Sequence, residues 1–340
     1  MWAKRIGAIV AAVAFIGGAI VLRRAVDGGS GNGGSSSTDP PAGKTAVVCI
    51  PELEAACHAL ASADDGLALT IEPAGATYER VVADPASAPP VWITLDPWPQ
   101  MVSSAVTVSG GDDPFATGGA AVAMSDLVMV GRTPRMAALD GHCGTTTWRC
   151  IGDAAGEPWE GLGGEAAWGV LKPSHADASD SAAGLLTFAT IVTDYWGSVD
   201  YTGTDLQNDD AFLSWLSRFE GAVPTYGDEA NTPLSIMLSQ PRIDVVGTTA
   251  AEIREQAGAQ TGELTTAPPA AAVAPKAQVV VAGDDRAEGV WASAALRDGL
   301  NASGWGAPST GSPELPAGTG LPPPDVMIAL RDLCRGVAKR

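Results

Sequence analysis

Near its start the chain carries one long apolar run, IGAIVAAVAFIGGAIVL, from Ile6 to Leu22, with Lys4 and Arg5 before it and Arg23 and Arg24 after it. A run of this length sits at the short end of what spans a bilayer. No small-residue cleavage site follows, and no cysteine is placed for a lipid. Residues 1–26 therefore read as an uncleaved signal anchor, a single-pass transmembrane helix with its N-terminus in the cytoplasm; a cleaved signal is the alternative. Residues 27–44 are rich in Gly and Ser and hold no core-forming side chains, which predicts a flexible tether. Everything after Lys44 then lies outside the membrane, on the extracytoplasmic side.

Beyond the tether the pattern changes to short apolar runs separated by amphipathic stretches. TAVVCI (45–50), LALTIE (67–72) and VWIT (91–94) read as buried strands, with helices over 51–62 and 76–83 between them. This alternation predicts an α/β fold with a parallel sheet. Further strands are expected at 126–131, 166–171, 243–246 and 278–282. Helices are expected at 181–196, 209–220, 287–302 and 325–337, with another after Thr248 or Thr249 as its cap. Residues 135–164 read as Gly-rich and irregular, and 261–276 as extended loop.

Composition refines this picture in two places. The chain of 340 residues has a net charge of −19, so its surface repels nucleic acid and anionic lipid. Outside the membrane its five cysteines can oxidise. Cys143 and Cys150 flank a turn and predict a local disulfide. Cys49 has Cys57 or Cys334 as partner, and one thiol is left over. No C-x-x-C is present and the His residues are scattered, so no metal site is expected, and no cofactor.

Catalytic chemistry finds little support. Ser174 and His175 are adjacent and project differently, so they do not form a dyad, and no G-x-S-x-G elbow exists. The Asp pairs 64–65, 112–113, 209–210 and 284–285 sit beside Gly or at helix starts, which are turn and cap contexts. The Ser-rich stretch 174–181 reads instead as the entry to a helix, with side-chain caps for free N–H groups. The chain is expected not to be an enzyme.

Three segments carry a resemblance. PPVWITLDPWPQMV (89–102), WEGLGGEAAWGVLKPSHADASDSAAGLL (159–186) and SQPRIDVVGTTAAEI (239–253) are similar to bacterial extracellular solute-binding proteins of the periplasmic-binding-protein-like type II fold, nearest the molybdate binders. The last segment resembles the strand that crosses back to the first lobe. The resemblance runs from about Lys44 to the C-terminus. It implies two α/β lobes behind the transmembrane helix, lobe 1 being 45–125 plus 247–340 and lobe 2 being 126–246. Helix N-termini would converge on a gap between the lobes, which hinge shut over a solute. The implied ligand-binding residues are Glu52, Gly75, Thr77, Thr94, Ser181, Thr232 (with Asn231) and Thr248 (with Gly247). The implied partners are a small-molecule solute and a membrane permease, with the chain itself monomeric. An orphan binding fold serving as a surface interaction or sensory ectodomain is the alternative.

One departure bears on the ligand. Where the molybdate binders have Ser after the first strand, Glu52 stands here, and the serines after the second strand are replaced by Ala, Gly and Ala before Thr77. A carboxylate facing an oxyanion repels it. Glu52 either points outward as a first-turn helix acid or turns inward and leaves room for a cationic ligand, a neutral one, or none.

Overall fold

The computed structural model describes residues 43–115, 117–225, 232–270, 276–308 and 320–337. The expected signal anchor, the tether up to residue 42 and Asn231 lie outside the described residues. Among the described residues no helix is long and apolar enough to cross a membrane.

The first half of the fold follows the expected alternation. Strands β1 (Thr45–Cys49), β2 (Leu67–Ile71) and β3 (Val91–Leu95) lie parallel, with β1 between the other two. Helices α1 (Glu54–Ala63), α2 (Ala74–Ala83) and α3 (Trp98–Val108) connect and follow them. The apolar runs form strands because both faces of this sheet are covered; every residue of β3 is buried.

Strand β4 (Thr117–Arg132) then departs from expectation by its length of 16 residues. Only 126–131 reads as apolar enough for a strand, because TGGAAVAMS contributes small side chains and little hydrophobic signal. Its first half pairs antiparallel with β8 (Lys276–Gly283), which also pairs with β3. Its second half pairs with β6 (Val245–Thr249) on one side and β7 (Leu264–Ala267) on the other. One strand thus runs through both halves, and the strands form a connected ladder, β2-β1-β3-β8-β4-β6-β5. The segment resembling a crossing strand, 239–253, supplies β6, which stays beside β4 and β5. The chain rejoins the first half through β7, which lies in the stretch expected to be loop, and β8, which covers the strand expected at 278–282.

The second half begins with α4 (Thr133–Cys143) and α5 (Trp148–Ala154), both within the stretch read as irregular. The strand expected at 166–171 is not formed. A short 3-10 turn occupies Ala166–Trp168, and Gly169 with φ 77° turns the chain out of extended geometry. The strand, β5, forms instead at Pro173–His175, parallel to β6. After it come α6 (Ala182–Trp196), α7 (Gly203–Asn208), α8 (Asp210–Ala222) and α9 (Pro233–Ser239). Helix α10 (Ala250–Ala257) is capped by Thr249, whose hydroxyl accepts from Glu252 N at 3.1 Å. The single helix expected over 287–302 is two, α11 (Ala287–Trp291) and α12 (Ala294–Ala302), because Ser293 leaves helical geometry to cap the second. Helix α13 (Pro324–Val337) closes the chain and lies against α3 as well as α6 and α7.

Helix α6 sits at the centre. All residues from Ala182 to Asp194 are buried, a pattern open only to a helix enclosed on every side. Its approach to β6 is set by Gly247, where a Cβ would fall 2.2 Å from Thr187 Cγ2 and 2.7 Å from the Trp148 ring. Two disulfides form, Cys143–Cys150 as expected and Cys49–Cys57, which settles the partner of Cys49. Cys334 is free and buried, its thiol pushed up to about 12 chiefly by that burial.

Candidate functional site

The candidate site is built around the loop between β5 and α6. His175 anchors its start. The Nδ1 of this buried ring lies 2.7 Å from Ala176 O and its Nε2 lies 3.0 Å from Glu220 Oε1. A carbonyl and a carboxylate only accept, so both ring nitrogens carry hydrogen. Burial by itself lowers the pKa, but the Glu220 charge and both hydrogen bonds outweigh it and the net shift is upward. The ring is therefore committed and does not serve Ser174 as a base. The loop then turns on Asp177, whose Oδ1 accepts from Ser179 N at 2.8 Å and whose carbonyl accepts from Ser181 N at 2.8 Å. Ser181 caps α6 through Gly184 N, 2.9 Å from its Oγ.

Three groups from the first half and α13 hold this loop. The Glu52 carboxylate, on the turn after β1, receives Ser181 Oγ at 2.7 Å and Ala183 N at 3.1 Å, both on Oε1. Gly75, in the first turn of α2, donates its N–H to Asp180 O at 3.0 Å. Arg331, almost fully buried on α13, donates from Nε to Ser179 O at 3.1 Å and from Nη2 to Glu79 at 2.7 Å, with Tyr78 under its guanidinium. The two halves thus meet in a closed seam where an open gap between lobes was expected. The approach is tight: a Cβ on Gly75 would lie 2.2 Å from Ser179 O.

Of the other residues implied by resemblance, the structure brings some together and not others. Thr248 and Thr232 converge on α10, Thr248 bonding Glu252 and Thr232 bonding Gln256 at 3.1 Å. Thr77 is buried and donates to Glu72 at 2.6 Å, inside an ion pair with Arg80, so its hydroxyl is spent within its own half. Thr94 is fully buried and its Oγ1 has no partner among the described residues. Arg331 and Glu252 were not singled out from the sequence, and Asp180 only as a side-chain cap beside Ser179 and Ser181. Glu252 had a local signal, standing three residues after its cap; Arg331 had none, since its partners come from distant segments.

The seam is acidic. Asp180 is shifted upward first by burial, then by Asp177, Glu52 and Glu79, against the lowering effect of Arg331. Glu252 is also shifted upward, by burial first, with Glu52 adding to it against the hydrogen bonds from Thr248, Thr232 and Gln256. Glu52 Oε2 is buried without a hydrogen-bond partner among the described residues. No group of three or more His, Cys, Asp or Glu among the described residues is arranged to hold a metal ion. A surface hollow of about 920 Å³ beside Cys150 is lined by none of the seven implied residues.

A second buried carboxylate links α6 to its surroundings. Asp194 accepts from Trp148 N at 2.8 Å and Ala270 N at 3.0 Å, yet burial pushes it up to about 6. An acid whose folded pKa exceeds its unfolded value binds its proton first in the folded state. Its penalty is felt above pH 6 and is relieved as pH falls toward 4. The full effect is on the order of 3 kcal/mol. His175 acts in the same sense, since a raised His contributes stability below about 6.5 that is lost as pH climbs through its folded pKa. Urea unfolding is expected to show greater stability at pH 5 than at pH 7, with Asp194→Asn flattening that slope; an unchanged slope in the variant refutes the assignment.

No protein-family model matches the chain, and no curated protein matches it in sequence. Solved structures match its fold. The periplasmic binding protein AfuA from Actinobacillus pleuropneumoniae, with exogenous fructose-6-phosphate bound, superimposes with a TM-score of 0.52 at 12% identity, covering 88% of this chain and 97% of that one. A periplasmic thiamin binding protein gives 0.55 at 12% identity, covering 87% and 96%. Iron-bound HitA from Pseudomonas aeruginosa gives 0.53 at 13% identity, covering 86% and 99%. At this identity the likeness establishes the two-lobed fold and leaves the ligand to the chain's own residues.

Proposed function

We propose that this chain, whose fold is that of the type II periplasmic binding proteins, is a membrane-anchored extracytoplasmic solute-binding protein that closes two lobes on a small solute for uptake or sensing. The lobes are 45–125 plus 247–340, and 126–246, with β4 and β6 lying across the two boundaries. The apolar run Ile6–Leu22 would anchor it, and the two disulfides suit an oxidising compartment. A permease in the same membrane would receive the solute, the binding protein acting as a monomer and without bond chemistry.

One observation carries this reading: the Glu52 carboxylate of one half seated on the N-terminus of α6 in the other. Opposed groups from two lobes meeting at a helix N-terminus are what hinge closure requires. The acidity of the seam favours a cationic or neutral solute over an oxyanion. A thermal-shift screen of amines, sugars, amino acids and oxyanions tests it: amines or neutral solutes are expected to raise the Tm. No response from any class at millimolar concentration favours the second reading, an orphan fold used as a surface interaction or sensory ectodomain. The same seam gives that second reading its support, because it closes using only the chain's own side chains.

A further inference from the structure

We propose that Glu52 is an internal counter-anion, a specificity-determining residue that occupies the helix N-terminus where an anionic solute group would sit, draws the halves together without solute, and excludes anionic solutes. The inference rests on the interlobe site being the binding site. Four observations carry it. Two first-turn N–H groups of α6 are already taken, Ala183 N by Glu52 and Gly184 N by Ser181. Ser181 Oγ spends its proton on the same carboxylate oxygen. Asp180 stands close enough to Glu52 and Asp177 for their charges to act on it, so a free anion entering beside Glu52 meets carboxylates, while Glu79 is paired with Arg331 and Arg335. The buried cation at the loop, Arg331, is committed to Ser179 O and Glu79.

The physical comparison is between one carboxylate supplied by the chain and one supplied from solution. The tethered group is present at high effective concentration and needs no translational entropy to bind. It also gains charge-assisted hydrogen bonds and the favourable end of the α6 dipole. A soluble oxyanion must displace it and leave Glu52 among other acids. Anionic solutes are therefore rejected by occupancy as well as by charge, and the second carboxylate oxygen, Glu52 Oε2, is buried with no hydrogen-bond donor among the described residues to neutralise an added anion.

The test compares wild type, Glu52→Ser and Glu52→Gln by small-angle scattering and by thermal shift with millimolar inorganic phosphate or sulfate, circular dichroism confirming the fold. Wild type is expected to be compact without solute and insensitive to both anions. Glu52→Ser is expected to show a larger radius of gyration and to gain several degrees in Tm when either anion is added. Glu52→Gln keeps the accepting oxygen and loses the charge, so it is expected to fall between them; if Glu52→Ser does not fold, Glu52→Gln is compared with wild type in the same way. A folded variant as compact and as anion-insensitive as wild type overturns the proposal, as does a wild type that the anions stabilise equally. If the variants respond and no solute stabilises wild type, the counter-anion stands and uptake fails. If an amine stabilises wild type and the variants gain nothing, uptake stands and the counter-anion fails.

Discussion

Gly75→Ala is expected to force the seam apart. The new Cβ would lie 2.2 Å from Ser179 O and 2.7 Å from Asp180 Cα, both backbone atoms that cannot rotate away. The Gly75 backbone lies outside the left-handed region, so the effect is steric contact alone. Either the loop before α6 shifts or the two halves separate. Both routes break the Gly75 N–H to Asp180 O bond and loosen Glu52 from Ser181. Overpacking of this kind costs about 1–3 kcal/mol. The variant should show a lower Tm together with a larger radius of gyration, and Gly75→Val should exaggerate both. An Ala variant with the wild-type scattering profile and Tm would mean that the seam yields locally and that Gly75 does not set the closed geometry.

The other large effect is expected at Asp244. Its buried carboxylate receives the Arg135 guanidinium, Trp159 Nε1 at 3.1 Å and Lys172 N at 2.8 Å. Burial shifts it upward, and Arg135 is the chief opposing influence. Arg135→Ala leaves that carboxylate buried without its cation, at a cost of about 3–5 kcal/mol. The loss should shrink as pH falls, because protonation removes the unpaired charge. Replacing both residues with apolar ones of similar volume should recover part of the stability. Urea unfolding of the single and double variants at two pH values checks this; a loss below about 1 kcal/mol for Arg135→Ala would place the pair with ordinary surface ion pairs.

Asp244 also shows why parts of the fold were legible from sequence and others were not. The Trp-containing stretch at 159 and the segment around 243 each stood out as resembling a family pattern. Their connection, one carboxylate holding an indole N–H and a backbone N–H from another segment, is a long-range contact with no trace in local spacing. The strands with β-branched and aromatic residues were readable because burial on both faces leaves a continuous apolar run. The first half of β4 was not, since its Ala and Gly residues give no such signal and its partner β8 follows more than a hundred residues later. The loop and cap at Ser181 were readable, because a cap is chosen by residues within one turn.

At the candidate site the division falls on a single side chain. The sequence by itself determined the α/β alternation, the acidity, the apolar N-terminal run and the presence of a Glu where the resembling proteins have Ser. It left open whether that carboxylate faced solvent or the other half. Only the tertiary structure decided this, by bringing the α6 N-terminus within 3.1 Å of Glu52 from 131 positions along the chain. A helix end attracts an anion over a few ångströms, and which anion arrives is a matter of how two halves close, which no local pattern records.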